Sequence, residues 1–430
     1  TRERRTEIEA EITRMSARAL RVLAGAYREL QTGKMPDGKW EKQVGQLEQN
    51  LVFLGLAGMM DPPREAAAGA VEAFRRASVR TVMITGDHAD TALAIARQLG
   101  IAKRREECMT GAQLETLDEG ALEERIGSVS VFARVSPEHK VRIVRALKRA
   151  GCVTAMTGDG VNDAPALKSA DIGIAMGKGG TDVARQAADM ILTDDNFATI
   201  ERAIEEGRGI YENIRKSILF LLSSNLGEIL TMFAAVAIGI PAPLGAGHIL
   251  WINLITDSLP ALALGMEKAE GDIMRRRPRP AKDGIFAGGM GFDIAYQGVL
   301  ISVLVLAAYF VGHYIETGVW TITDSADGTT MAFLTMSMAE VCHSFNMRSL
   351  RGCIFTMGTK NKALVWAAVG SIAATTLVCE VPFLAEAFGF TPVSIAEYVI
   401  AMGIGMLGMV IVEIVKTFQR RAMRKRGEIL

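Results

Sequence analysis

Asp159 and Asp163 stand four residues apart in the stretch Met156-Thr157-Gly158-Asp159-Gly160-Val161-Asn162-Asp163-Ala164-Pro165. Carboxylates set among glycines suit a hard cation such as Mg2+, which is usually bound together with phosphate. The glycines let the backbone turn sharply and approach a ligand closely. Two other places add matching chemistry, Thr85-Gly86-Asp87 and the pair Arg134 and Lys140. A threonine hydroxyl and backbone N–H groups at a helix start can hold phosphoryl oxygens, and a lysine can offset charge on a phosphoryl group in transfer. The combined chemistry is Mg2+-dependent phosphate chemistry. A solvated acidic turn would need no such density of special residues between apolar segments.

Those residues need strand ends to bring them together. Apolar runs predict strands at 51–56, 80–84, 128–133, 152–156, 172–176 and 190–192. Helices are expected near 64–78, after Asp61-Pro62-Pro63-Arg64, and at 89–99. Another should start at Ser136-Pro137-Glu138, with Ser136 as cap and Pro137 in the first position, and one at Ala164-Pro165. Strands alternating with helices predict a doubly wound α/β domain with a parallel sheet. Ligands bind such sheets outside the strands' carboxyl ends, and Thr85, Gly86, Asp87, Arg134, Asp159, Asn162 and Asp163 all fall there. Residues 6–31 show helical periodicity, and 32–50 read as a polar linker. The turn Gly177-Lys178-Gly179-Gly180 is more basic than expected and has no assigned role at this level.

Lys+Arg and Asp+Glu balance at 48 each, so bulk charge points to no nucleic-acid partner. The balance hides a division. Up to about residue 215 the chain is rich in charge; beyond it, apolar runs alternate with short polar loops. Six spans are expected, at about 215–240, 246–266, 293–315, 329–347, 363–384 and 395–416, each near the ~20 residues that cross a bilayer. Arg215/Lys216, Arg275–Arg279, Arg348/Arg351/Lys360/Lys362 and the tail 416–426 fall on one side, whereas the opposite loops carry no Lys or Arg. The positive-inside rule then places the soluble domain and the C-terminus in the cytoplasm. The five cysteines are scattered and imply neither a metal site nor a disulfide framework. The first residues are no signal peptide.

Polar groups inside spans are expensive and usually functional. Asn225 and Glu228 lie three apart on one helix face, and Asn253, Thr256 and Asp257 lie at i, i+3 and i+4. Pro260 follows within a turn, so local unwinding can free carbonyls. Glu340 lies one turn before His343. Apart from His343, read as a packing residue, these are oxygen donors, which suit Ca2+ better than a soft metal. Interhelical hydrogen bonding alone accounts for Asn225 or Thr256 but poorly for three mid-span carboxylates. Glu380 and Glu413 read as interfacial or packing residues.

The stretch TGDGVNDAPALK resembles the hinge signature of P-type cation-transporting ATPases, whose phosphorylation domain is haloacid dehalogenase-like. MITGD, FARVSPEHK, DPPR, the Asp194-Asp195-Asn196-Phe197 segment, SSNLGE and WINLITDSLPALALGME extend the likeness to type IIA calcium pumps. The resemblance implies that Thr85, Gly86, Asp87, Arg134, Lys140 and Asn162 contact ATP or phosphate and that Asp159 binds Mg2+. It implies that Asn225, Glu228, Asn253, Thr256, Asp257 and Glu340 coordinate transported Ca2+. It divides the chain into the end of a nucleotide-binding domain with linker (1–50), a phosphorylation domain (51–205) and a transmembrane domain (206–430). A span continuous with a cytoplasmic helix from about residue 208 is the expected mechanical link. The Asp-Lys-Thr-Gly-Thr segment that supplies the family's aspartyl nucleophile is not in the sequence, so the expectation is the C-terminal half of a pump, inactive without its N-terminal half. Localisation in the plasma membrane is expected. A related pump for Mn2+, Na+ or H+, a phosphohydrolase domain on a membrane anchor, and a non-catalytic membrane protein are the alternatives.

Overall fold

The computed structural model describes residues 2–16, 18, 20–29, 48–59, 63–280, 282–320 and 323–425. Asp61, Pro62 and most of the expected linker lie outside them. The chain forms two compact units, Thr1–Ile204 with Met274–Ala281, and Glu205–Ile273 with Lys282–Leu430.

The first unit opens with helix α1 (Arg2–Ser16), followed by strand β1 (Arg21–Tyr27) paired antiparallel with β2 (Val52–Met59). This corrects two expectations. The periodicity over 6–31 ends as a helix at Ser16, because Arg21–Tyr27 finds a strand partner, and pairing overrides local periodicity. The 51–56 strand is longer and belongs to this ribbon rather than to the parallel sheet.

Then α2 (Glu65–Arg76), β3 (Met83–Ile84), α3 (Ala89–Gln98) and β4 (Cys108–Thr110) alternate. They are followed by β5 (Val131–Ala133), α4 (Pro137–Arg149), β6 (Ala155–Gly158), α5 (Ala164–Ser169), β7 (Ile172–Met176), α6 (Asp182–Ala187) and β8 (Met190–Leu192). The α/β alternation is as expected, and every pairing from β3 onward is parallel. Instead of one sheet there are two small ones, in the orders β3-β5-β4 and β6-β7-β8. One helix braces both. Ile143 of α4 packs with Met109, Leu122 and Phe132, and its neighbour Val144 packs with Met156, Leu167 and Ala175. Ser136 caps that helix, accepting from the His139 N–H and donating its own N–H to His139 Nδ1 at 3.1 Å, with Pro137 at its first turn.

The second unit is helical. Helix α7 (Thr199–Ile238) runs 40 residues without a break and starts earlier than residue 208. Helix α8 (Ala246–Trp251) leads into a π-helical segment, Ile252–Asp257, then α9 (Ser258–Gly265). The unwinding expected from Pro260 takes this form. In a π turn the Ile255 carbonyl would bond the N–H of residue 260, which proline lacks; it accepts instead from Ser371 Oγ at 3.1 Å. Next come α10 (Met290–Thr317), α11 (Ala326–Asn346), α12 (Lys362–Glu380), α13 (Pro382–Phe388) and α14 (Ile395–Lys425).

Among the described residues, four helices, not six, are long and apolar enough by themselves to cross a bilayer: α7, α10, α12 and α14. The expected 246–266 span is broken at its π segment, and the expected 329–347 span, α11, is long enough but too polar. The outer faces of the unit expose Phe233, Val236, Leu262 and Trp366, an apolar surface fit for lipid.

Candidate functional site

The first candidate site is the carboxyl edge of the parallel strands. After β3, the Asp87 N–H donates to Thr85 Oγ1 at 3.1 Å. After β5, Arg134 turns the chain with φ 52, a left-handed conformation rare for a branched or long side chain. That turn lets the Arg134 N–H reach the Asp87 carbonyl at 3.0 Å and the Val135 N–H reach the Thr85 carbonyl at 3.3 Å. So the Thr85 and Arg134 loops are joined through backbone.

After β6, the Asp163 carboxylate folds back over its own turn. Its Oδ1 lies 2.5 Å from Lys140 Nζ, and its Oδ2 accepts from the Asp159 and Gly160 N–H groups at 3.4 and 3.3 Å. Gly158 is required here, because a Cβ on it would lie 2.5 Å from that of Asp163. Among the described residues, the side chains of Arg134, Asp159 and Asn162 are exposed and make no hydrogen bond. Asp163 is therefore the structural carboxylate and Asp159 the one left for a cation. The residues fit Mg2+ in that sense, although no group of three His, Cys, Asp or Glu side chains close enough to hold a metal occurs among the described residues.

The turn Gly177-Lys178-Gly179-Gly180 now has a physical reason. Asp195 Oδ1 accepts from the Gly177 and Lys178 N–H groups at 2.7 and 2.9 Å, and Oδ2 from Gly179 at 2.7 Å. The Lys178 N–H foremost, with Gly179 and Gly177, holds this carboxyl below the usual aspartate range despite some desolvation. A Cβ on Gly180 would lie 2.0 Å from the Met176 carbonyl. Thr181, next in the chain, donates its N–H to the Asp159 carbonyl at 2.8 Å. The only sequence signal for this nest is the density of glycine itself.

The second candidate site lies in the helical unit. Glu228 accepts from Asn253 Nδ2 at 3.0 and 3.1 Å, and the Thr256 hydroxyl reaches Glu340 Oε2 at 3.2 Å. Asp257 and Glu340 are each 0% exposed. They face one another, and apart from that contact Asp257 Oδ1, Asp257 Oδ2 and Glu340 Oε1 have no hydrogen-bond partner. Buried carboxylate oxygens without donors are costly, and such a set of oxygens suits a hard cation. Asn225 is less close to this group: its Nδ2 turns back to the Leu221 carbonyl at 2.7 Å. His343 is held by Ser223 Oγ at 2.8 Å beside Phe220, a packing role.

Two of the expected loop charges are instead buried. Lys216 sits 3.5 Å from Glu270, and Lys416 donates to the Ser349 carbonyl at 2.8 Å and to Glu413 at 3.1 Å. Of the two expected roles for Glu413, interfacial or packing, the structure shows the packing one.

A haloacid dehalogenase-like hydrolase family model matches residues 3–171, and the cation transporting ATPase C-terminus model matches residues 241–418. This chain belongs to the P-type cation-transporting ATPase family. Calcium-transporting ATPase 1 of Bacillus cereus is 45% identical over 413 residues, covering 94% of this chain and 46% of the relative. The calcium-transporting ATPase of Bacillus subtilis is 42% identical over 405 residues, 94% of this chain and 44% of the relative. Human calcium-transporting ATPase type 2C member 1 is 37% identical over 421 residues, 98% and 43%. The chain of this P-type ATPase spans less than half the length of these relatives. The four helices long and apolar enough to cross a bilayer make it a membrane protein.

Proposed function

We propose that the chain supplies the Mg2+-binding edge and the ion-binding helices of an ATP-driven Ca2+ pump. The carrying observation is that buried Asp257, with no donor, and Glu340, with only the Thr256 hydroxyl, share one chain with the phosphate-type strand edge of Asp159, Asp163 and Lys140. In this reading six segments cross the plasma membrane: α7, α8 through α9, α10, α11, α12 and α14. The broken and the polar segments carry Asn253, Thr256, Asp257 and Glu340, and α7 carries Asn225 and Glu228. The first unit and the C-terminus face the cytoplasm.

Bound at Asp159, Mg2+ would offset negative charge on the phosphoryl group being transferred. Lys140 adds positive charge and fixes Asp163, and Asp163 holds the Asp159 and Gly160 amides in place. The free Arg134 guanidinium and the Asn162 amide offer donors for phosphate and nucleotide, and the Thr85 hydroxyl, which donates to Asp87 Oδ2 at 3.1 Å, joins them on turning to the ligand. Glu228, Asn253, Thr256, Asp257, Glu340 and, after a side-chain turn, Asn225 take the transported Ca2+.

The nucleophilic carboxylate comes in this reading from the N-terminal half. Support for its place is that β3 and β6 are each the edge strand of a parallel sheet, while Ile84 of β3 packs against the cluster that contains Met156 of β6. A strand inserted there would end beside Thr85 and Asp159.

The test is ATP hydrolysis by the pump assembled from this chain and its N-terminal half, with Ca2+, Mn2+ and Na+ compared. Ca2+ activation that Glu340→Gln abolishes is the expected result. Hydrolysis indifferent to all three ions would replace the pump by a membrane-anchored phosphohydrolase.

A further inference from the structure

Glu267, just past the end of α9, is buried, and polar groups from three other helices meet its carboxylate and its carbonyl. Arg348, just past the end of α11, grips it with both arms: Nε to Oε2 and Nη2 to Oε1, each 3.0 Å. Asn361, the cap of α12, donates to the same Oε2 at 2.9 Å and to the Ala263 carbonyl of α9 at 2.8 Å. The Glu267 carbonyl accepts from Asn213 Nδ2 of α7 at 2.5 Å. One carboxylate residue therefore ties together α7, α9, α11 and the start of α12. Of these, α7 and α11, with the π segment that runs into α9, carry every one of the ion-site residues named above.

The spacing makes the knot mechanically relevant. Glu267 is ten residues after Asp257, and Arg348 eight after Glu340. At ~1.5 Å per residue the knot stands about 12–15 Å along the helices from the acids. Asp257 has no donor of its own and Glu340 only the Thr256 hydroxyl at 3.2 Å, so a stronger restraint outside the site is needed to fix the axial position of their helices. A bidentate Arg–carboxylate pair sets both distance and angle, which a lysine point charge does not.

We propose that Glu267 and Arg348 are positioning residues for the ion site: the buried knot sets the register of α7, α9 and α11, and through it the ion affinity. The proposal rests on the pump reading for its affinity readout, but its second readout needs no ion.

The experiment compares wild type with Arg348→Lys and Glu267→Gln in the assembled pump. The half-activating Ca2+ concentration should rise roughly 3- to 30-fold, the range that positioning residues outside a site can give. Maximal hydrolysis should stay within about twofold, separating affinity from turnover. In parallel, with no divalent ion, amide hydrogen exchange of residues 252–257 should speed up several-fold while β5 in the other unit keeps its protection. A lower maximal rate or a general rise in exchange, without a shift in Ca2+ activation, makes the pair merely structural and overturns the proposal. Unchanged activation with unchanged exchange also overturns it. Wild type that ignores Ca2+ overturns the pump reading instead, and the exchange comparison alone then decides the knot.

Discussion

Lys140 Nζ and Asp163 Oδ1 are 2.5 Å apart, and Asp163 Oδ2 in turn accepts from the N–H of Asp159. The two aspartates of the motif thus divide their work: one is spent on structure, the other projects from the turn it stabilises.

Substitution should separate them. Asp163→Asn leaves Lys140 without its partner and should destabilise the first unit by roughly 2–4 kcal/mol. Asp159→Asn removes an exposed side chain and should change stability by no more than about 0.5 kcal/mol, but should abolish Mg2+-dependent stabilisation. Urea unfolding followed by circular dichroism, with and without Mg2+, measures both. Equal losses in the two variants would refute the division.

Acid should weaken the first unit through Asp195 and Asp171. Burial raises the Asp171 carboxyl, but the Thr154 N–H, Lys148 and the Thr154 hydroxyl outweigh it and hold it low. Asp195 is held low by its nest. For carboxyls depressed in the folded state, the stabilisation is present above the unfolded value of ~3.9 and is lost as pH falls through the folded values beneath it. Stability should therefore be nearly level from about pH 7 to 5 and drop below about pH 4. Asp195→Asn should lower neutral stability and flatten the acid limb; an unchanged pH profile would show that the nest contributes nothing.

Three glycines give a steric contrast. Gly180→Ala and Gly158→Ala force a Cβ against the Met176 carbonyl and against Asp163, and each should cost roughly 1–3 kcal/mol or more. Gly207, inside α7, has nothing within 4 Å of its would-be Cβ, so Gly207→Ala should stabilise by about 0.5–1 kcal/mol. Thermal melting of the three variants settles the order.

Asp257→Asn should stabilise the ion-free protein while removing its response to Ca2+. The change relieves a carboxylate facing Glu340 without donors, worth roughly 1–3 kcal/mol. Wild type should melt higher when Ca2+ is added and the variant should not. A variant that melts lower than wild type without Ca2+ would mean that the two acids are not in conflict.

Much of this was legible in the sequence. Capping chemistry placed α4 from Ser136 and Pro137, and Pro260 announced the broken helix, because both effects are local. The strand ends carrying Thr85, Arg134 and Asp159 followed from apolar runs and glycines. What escaped was long-range. Nothing near Tyr27 reveals its pairing with Val52, and nothing near Arg348 reveals Glu267, 81 residues away. Lys216 and Lys416 looked like loop charges because composition shows sign but not partners. That the polar residues of α11 are covered by protein is likewise a matter of packing, which hydropathy does not show.

Helix α11 has a consequence for biogenesis. Nearly all its residues are buried, Thr335 bonds the Ala401 carbonyl at 2.9 Å, and its main neighbours are α10 and α14. Its environment is other helices rather than hydrocarbon, and its own sequence partitions poorly into lipid. It has to be retained near the translocon until α14, which emerges later, closes over it. The segment that carries Glu340 is then sealed only after α14 emerges, and truncation before residue 395 should leave it stranded and exposed to quality-control proteases.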